Sequence, residues 1–353
     1  MSHLVLKTEF DDGQSVEFIP ETIAPLGLPE LWSIKSGTTG YKLAFSATNP
    51  SINGEPQNGH GSINTTINFK ESPEPFALVP GGWLPMPLAI PQRFLVDRNV
   101  VDRLKRMGKQ SKSTSIGAFK WWLQLIEQGT ALFSPLLYAW EGGLKRKLSF
   151  VEFVDAYNEG VSEICKSLPK CHATTYAKEH YEVAYKMMED IAPRAKKEAE
   201  FLEIACPLIS QRVKQGNEKA TREKLVNAAR GSGMRLNSIP FIAALSCLYD
   251  DPHGNKRSIG REVLKPSKKG IFNALSDIRS IEITAAGQVY FGNQAFSLAR
   301  DQGLAALWCA LLPRGESPAG EEIEFTFHLP YELFPRLDQD EIIDIQSLIK
   351  NDF

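Results

Sequence analysis

An apolar run, Phe94-Leu95-Val96, ends on Asp97, and Arg98-Asn99-Val100-Val101 follow at once. A continuous apolar run of this kind suits a strand covered on both faces by helices. In open sheets of such strands, ligands sit beyond the carboxyl ends. A carboxylate placed there offers oxygen to a hard cation such as Mg2+ or Mn2+. Clustered carboxylates that hold such ions activate water and neutralise phosphate charge, so the chemistry within reach is phosphodiester hydrolysis. The alternative role for Asp97 is to cap the helix from Asn99 onward. Other reactive constellations are poorer. Cys171-His172 and His180 lack zinc spacing, Ser134 and Ser246 sit in no nucleophile elbow, and Gly231-Ser232-Gly233 is too short to cradle phosphate.

The segment resembles the opening of the PIN-like (toxin-type) metal-dependent nuclease superfamily. Its members begin with an apolar strand, then Asp, a variable residue, Asn or Ser, and two apolar residues; Asp97, Asn99, Val100 and Val101 match. The resemblance implies that Asp97 is a metal ligand and that Asn99 orients it. The family's second element is a Glu on an early helix. Leu136-Leu137-Tyr138-Ala139-Trp140-Glu141 supplies Glu141, four residues after Leu137 and so on the face of the apolar stripe; the alternative is a solvated Glu at a helix end. The third element is an Asp opening a late, very apolar helix. The stretch Leu236 to Leu245 has that shape, but Asn237 and Ser238 stand where the family carries Asp. Asp277, on the margin of the stripe Ile271, Ala274, Leu275, Ile278 and Ile281, is the candidate replacement. Asp250 and Asp251 are further alternatives, with a turn before Pro252 as their ordinary role.

The resemblance covers about half the chain. It implies catalytic and metal-binding roles for Asp97, Glu141 and Asp277, a Mg2+ or Mn2+ cofactor, and endonuclease hydrolysis, most often of RNA. The settings it suggests are toxin ribonucleases and antiviral, phage-defence effectors. Nucleic acid would meet basic residues near the acids: Arg98, Arg103 and Arg106 after Asp97, and Lys265 and Lys268 before Asp277. The alternative for each run is solvated surface. Two rival readings stand beside the nuclease. One is a non-catalytic binding protein with a degenerate nuclease fold, supported by the missing Asp at 237–238. The other is a scaffold subunit of a bacterial assembly, with the helices of 150–230 as its interface to a protein partner or a second copy.

The elements that must position these residues read as follows. Strands are expected at 4–8, 15–19, 41–45 and 62–69, and Pro80 to Pro87 reads as a linker. From Gln92 a buried strand leads into helices at about 100–107, 116–128, 131–140, 150–166, 176–190, 195–211, 219–229, 239–248 and 268–281. Strand pattern returns at 281–284, 289–291 and 322–328, before an amphipathic helix at 340–349. The expected fold is α/β. A parallel-sheet PIN-like core spans 92–283 with a helical insertion at 150–230, between β-rich segments 1–91 and 284–353 that could pack together.

Composition is that of an ordinary globular protein: 353 residues, 42% hydrophobic and 23% charged. A net charge of −2 excludes a global polyanion-binding character. The odd count of 5 cysteines, without a CxxC pair, argues against a disulfide framework or structural zinc and for reduced thiols in the cytoplasm. The start of the chain does not read as a signal peptide. No apolar run nears the ~18 residues that span a bilayer, so no membrane partner is expected.

Overall fold

The computed structural model describes residues 5–10, 12–34, 37, 40–68, 74–89, 93–107, 131–141, 148–169, 172–173, 178–251, 258–266, 270–290, 295–316 and 324–350. The helix expected over 116–128, Lys268, and the turn at 252–255 lie outside them, as do the side chains of Arg106 and Glu141. The chain divides into two compact units, the first formed by 1–138, 158–175 and 290–300, the second by 139–157, 176–289 and 301–353.

Unit 1 begins with two small antiparallel sheets. One orders β1 (Leu6–Glu9), β2 (Ser15–Phe18), β5 (Ser51–Ile52) and β6 (Glu55–Pro56); the other orders β3 (Pro20–Ile23), β4 (Gly40–Thr48) and β7 (His60–Asn68). Between β3 and β4 lies the short helix α1 (Leu28–Ser33). Strand β4 alternates as a half-buried strand should: Tyr41, Leu43, Phe45 and Ala47 point into the core. Its register with β7 runs unbroken from Gly40↔Asn68 to Thr48↔His60.

The larger sheet of unit 1 comprises β8 (Phe76–Val79), β9 (Gly82–Pro85), β10 (Arg93–Val96), β11 (Leu132–Ser134), β12 (His172–Ala173) and β13 (Ala295–Ala299). Its order is β12-β11-β10-β13-β8-β9. Strands β12, β11, β10 and β13 run parallel. The β8–β9 hairpin adds antiparallel to β13, with Ser297↔Leu78 in register, so residues near the two ends of the chain share a ladder. Every residue of β8, β9 and β13 is buried, as is all of β10 except Arg93. This explains why these strands are apolar runs rather than alternating ones. It also corrects the linker expected at 80–87: Trp83 and Leu84 are core residues of a strand. Helix α2 (Arg98–Met107) follows β10 directly. After β11 come α3 (Leu136–Glu141) and α4 (Phe150–Ser167), so the helix expected over 131–140 is a strand followed by a helix.

Unit 2 is mainly helical: α5 (Lys178–Ile209), α6 (Glu218–Gly231), α7 (Ile239–Leu248), α8 (Ile259–Leu264), α9 (Ile271–Tyr290), α10 (Gln302–Leu311) and α11 (Gln339–Lys350), with the hairpin β14 (Arg314–Glu316) and β15 (Glu324–Thr326). All ten residues of α7 are buried, the mark of a helix apolar on every side that forms a core. Gly260 lets α8 lie on it, because a Cβ there would stand 2.1 Å from the Ala243 carbonyl oxygen.

Two expectations for unit 2 are corrected. The helices at 176–190 and 195–211 are one, running through Pro193. The i,i+4 pairs Lys186–Asp190 and Lys196–Glu200 on either side, with buried Phe201, Leu202 and Ala205, hold it together. The strands at 281–284 and 289–291 are overturned as far as Tyr290, since α9 continues to that residue. Ile278, Ile281 and Ala285 are buried at helical spacing, and Arg279 bonds Glu282 across one turn.

Candidate functional site

Strand β10 sits inside the parallel part of the large sheet, with β11 on one side and β13 on the other. The chain leaves β10 toward β11 and later returns to β10's opposite edge. Such a reversal opens a crevice at the carboxyl ends of the strands. Asp97 stands at that edge and is 8% exposed. Its Oδ1 accepts the Val100 N–H at 2.7 Å, and its carbonyl oxygen accepts that of Val101 at 3.1 Å. Asp97 is therefore the N-cap of α2, the alternative its sequence context left open.

The face of α2 carrying Arg98, Asp102 and Lys105 is turned to Tyr138. The Arg98 guanidinium lies 4.6 Å from the centre of the Tyr138 ring and the Lys105 ammonium 5.5 Å from it. Tyr138 donates its hydroxyl to Glu159 Oε1 at 2.7 Å, and Lys105 pairs with the same oxygen at 3.6 Å. Burial, then the Glu159 carboxylate, pushes the tyrosine up to about 12, so it stays a protonated donor. Arg98 is exposed and Arg103 half-buried.

Helix α4 comes close to this cluster at Gly160. A Cβ there would lie 2.5 Å from the Pro135 Cβ and 3.1 Å from Tyr138 Cδ1. Gly160→Ala should lower stability by roughly 1–2 kcal/mol, because overpacking outweighs the gain in helix propensity. Urea unfolding checks this; a neutral result would show that α4 yields there.

Two more charged groups reach the same sheet edge. Arg300 follows β13, and Glu74 precedes β8, whose Phe76 pairs with Ala299. Because β8 is antiparallel, its beginning lies where β13 ends, and Arg300 Nη2 approaches Glu74 Oε2 to 3.6 Å. No local signal in the sequence marks Glu74; only the strand pairing places it there.

In unit 2 two predicted residues, Asp277 and Lys265, share one electrostatic cluster. Lys265 Nζ donates to Asp301 Oδ2 at 2.8 Å. Burial works against the ammonium, yet the bond to Asp301 and the charges of Asp301, Asp277 and Glu262 hold its pKa above the ordinary lysine value. Asp301 caps α10, its Oδ1 accepting from Gly303 N at 2.7 Å and Leu304 N at 3.3 Å. The sequence reading missed Asp301, although a signal existed. It follows the apolar strand Ala295–Ala299 and opens a helix buried from Gly303 to Leu311, the pattern that singled out Asp97.

Asp97 lies in unit 1, while Glu141 and Asp277 lie in unit 2. Glu141 ends α3. Among the described residues, no three His, Cys, Asp or Glu side chains form a group able to hold a metal ion. Asp250 is engaged by arginines: its Oδ2 accepts from Arg261 Nε at 2.7 Å. The thiols of Cys206 and Cys247 are pushed up by burial, which leaves them poor nucleophiles.

No known family model, curated protein or solved structure matches this chain. Among the described residues, no helix is long and apolar enough to cross a membrane.

Proposed function

We propose that the chain is a metal-dependent endonuclease that hydrolyses phosphodiester bonds, with RNA the favoured substrate, as the resemblance to PIN-like nucleases implies. One observation carries the reading: Asp97 stands at the carboxyl end of a central parallel strand, where the strand order reverses. A second supports it. Asp301 opens a late, very apolar helix, as the third acid of the resembled family does, whereas the sequence pattern singles out Asp277.

Carboxylate is the donor a hard divalent cation takes, although among the described residues no three such groups come together. Asp97 offers carboxylate oxygen, and Asp301 Oδ2 already takes a cation, the Lys265 ammonium. In this reading Asp97 is the first ligand; Glu141 and Asp277, the other two acids that the resemblance implies, lie in unit 2. A bound Mg2+ or Mn2+ would supply an activated water and charge neutralisation at the phosphate. In this reading Arg98, held over Tyr138 and next to Asp97 in the chain, would meet a phosphate oxygen.

One observation favours a second reading, a non-catalytic binding or scaffold protein: Asp97 is a buried helix cap. A single series separates the two. Asn and Ser also cap helices, so Asp97→Asn and Asp97→Ser should stay within a few tenths of a kcal/mol of the parent. Asp97→Ala should lose about 1 kcal/mol with the cap. On the nuclease reading, Mg2+- or Mn2+-dependent cleavage of RNA falls roughly a hundredfold in the Asn variant, at the upper end of what changes around a metal site cost. Cleavage unchanged in the Asn variant removes Asp97 from the site. No cleavage by the parent protein with either metal favours the binding reading.

A further inference from the structure

Within unit 2, helices α5 and α9 are tied by a closed ring of four charges. Arg279 donates through Nη2 to Glu198 Oε2 and through Nη1 to Glu282 Oε2. Arg194 donates through Nη2 to the same Glu282 oxygen at 2.7 Å, and its Nε stands 3.6 Å from Glu198 Oε1. Signs alternate around the ring: Glu198, Arg279, Glu282, Arg194. Three members are buried, Glu198 at 0%, Arg279 at 4% and Glu282 at 6% exposure, whereas the Arg194 side chain is 43% exposed.

The ring is closed electrostatically but not by hydrogen bonds. Glu198 Oε1 accepts none, and Arg279 Nε donates none. A buried carboxylate oxygen without a donor is costly, and a proton lowers that cost by removing the buried charge. Glu198 Oε1 is thus where a proton binds with least loss: the hydrogen bond from Arg279 to Oε2 is kept, although neutralising the carboxylate weakens its attraction to both Arg279 and Arg194. Burial, the largest influence, and the Glu282 charge push Glu198 up; Arg279 and Arg194 oppose them, and the balance lies at about 7. Burial works against the Arg279 guanidinium, but the two carboxylates hold it charged. The charges acting on Glu198 come from Arg279 and Glu282 of α9 and Arg194 of its own helix. Helix α7, which also packs on α5, carries no charged residue, and among the described residues no charge of α6 is one of those that shift Glu198.

We propose that this ring is a proton-operated latch between α5 and α9, firm when Glu198 is protonated at Oε1 and loosened when it ionises. The sign follows from linkage. A carboxyl whose folded pKa is raised contributes stability that is present below its unfolded value, near 4.5. That contribution fades as pH rises through about 7. The proton comes from bulk water on the Arg194 side, the exposed side of the ring.

The test uses the full chain with 13C-labelled glutamate carboxyls, followed by NMR from pH 4 to 9. One glutamate should titrate near neutrality, and that signal should vanish in Glu198→Gln. Between pH 5.5 and 8.5 the parent should lose roughly 4–8 °C more in melting temperature than Glu198→Gln, by the usual scaling for a unit of this size. Arg194→Gln, at the half-exposed corner, keeps the idea testable if the Glu198→Gln variant fails to fold. Removing that cation should move the titration to higher pH. The latch is overturned if every glutamate titrates below about pH 5.5, or if Arg194→Gln leaves the neutral titration where it was.

Discussion

Asp250→Ala should destabilise unit 2 by about 3–5 kcal/mol, the cost of removing one partner from a buried ion pair. Asp250 is 1% exposed, directly beyond α7. Its Oδ2 accepts from Arg261 Nε at 2.7 Å and lies 3.4 Å from Arg212 Nε. Arg261 spends its remaining donors on the end of α5, with Nη1 on the carbonyls of Ile209 at 2.9 Å and Ser210 at 3.2 Å and Nη2 on that of Gln211 at 3.2 Å. These are carbonyls a helix leaves without internal partners, and a guanidinium there also meets the negative end of the dipole. Arg336 adds a second fork, donating to the Asp250 carbonyl, to Val213 O at 3.0 Å and to Glu218 Oε1 at 2.7 Å. Without the Asp250 carboxylate, Arg261 keeps its carbonyl contacts but loses its counter-charge. Arg212, 45% exposed, adds little because water screens it. Asp250→Asn retains an acceptor and should cost less, about 1–3 kcal/mol. Guanidinium unfolding of the three proteins decides this. A loss under about 1 kcal/mol in the Ala variant would mean that the cluster behaves as a surface network.

Much of this architecture is legible where burial leaves a simple pattern. Phe94-Leu95-Val96 reads as a buried strand and is one; the all-apolar α7 and the amphipathic α11 fall within a residue of their expected bounds. What the sequence hides is pairing over distance. Nothing local says that Ala295–Ala299 lies beside Arg93–Val96, or that Glu74 thereby comes to the edge where Arg300 emerges. Helix α9 reads falsely as part strand because it is buried on nearly every side, so its pattern lacks contrast. Ile281-Glu282-Ile283-Thr284 then looks like an alternating strand, although Glu282 is buried and pairs with buried Arg279 and half-exposed Arg194. Asp301 is legible by the same rule as Asp97, but the apolar stretch at 236–245 offers a stronger match to a late apolar helix and masks it. The same motif marks Asp97 and Asp301, and both prove to be helix caps. A cap is what an acid between strand and helix does by default, so the motif alone cannot distinguish a ligand.

Trp83→Ala should cost unit 1 about 3–5 kcal/mol, the range for deleting a large buried aromatic side chain. Trp83 is fully buried, edge-on to Tyr41 at 5.9 Å and to Phe76 at 5.2 Å between ring centres. Its indole Nε1 donates to the Gly27 carbonyl at 3.0 Å, and its backbone exchanges two bonds of 2.9 Å with Leu26. The side chain therefore joins β9 to the turn before α1. Gly82 permits this approach, since a Cβ there would lie 2.1 Å from the Leu26 carbonyl oxygen. Trp83→Phe separates the two contributions: it keeps much of the ring packing but removes the donor to Gly27, and should lose about 1–3 kcal/mol. Far-ultraviolet circular dichroism during urea unfolding reads both variants without relying on tryptophan emission. A linker would tolerate either change within about 0.5 kcal/mol. The measurement thus decides between the proline- and glycine-rich look of 80–87 and its place in the core. It also bears on Asp97, because β9 and β8 extend the sheet through β13 to β10. If that ladder is cooperative, amide exchange at Val100, bonded to the Asp97 carboxylate, should quicken in Trp83→Ala by the factor corresponding to the lost stability. Exchange at Val100 that stays slow while the unit melts early would instead place the Asp97 strand in a separate folding unit.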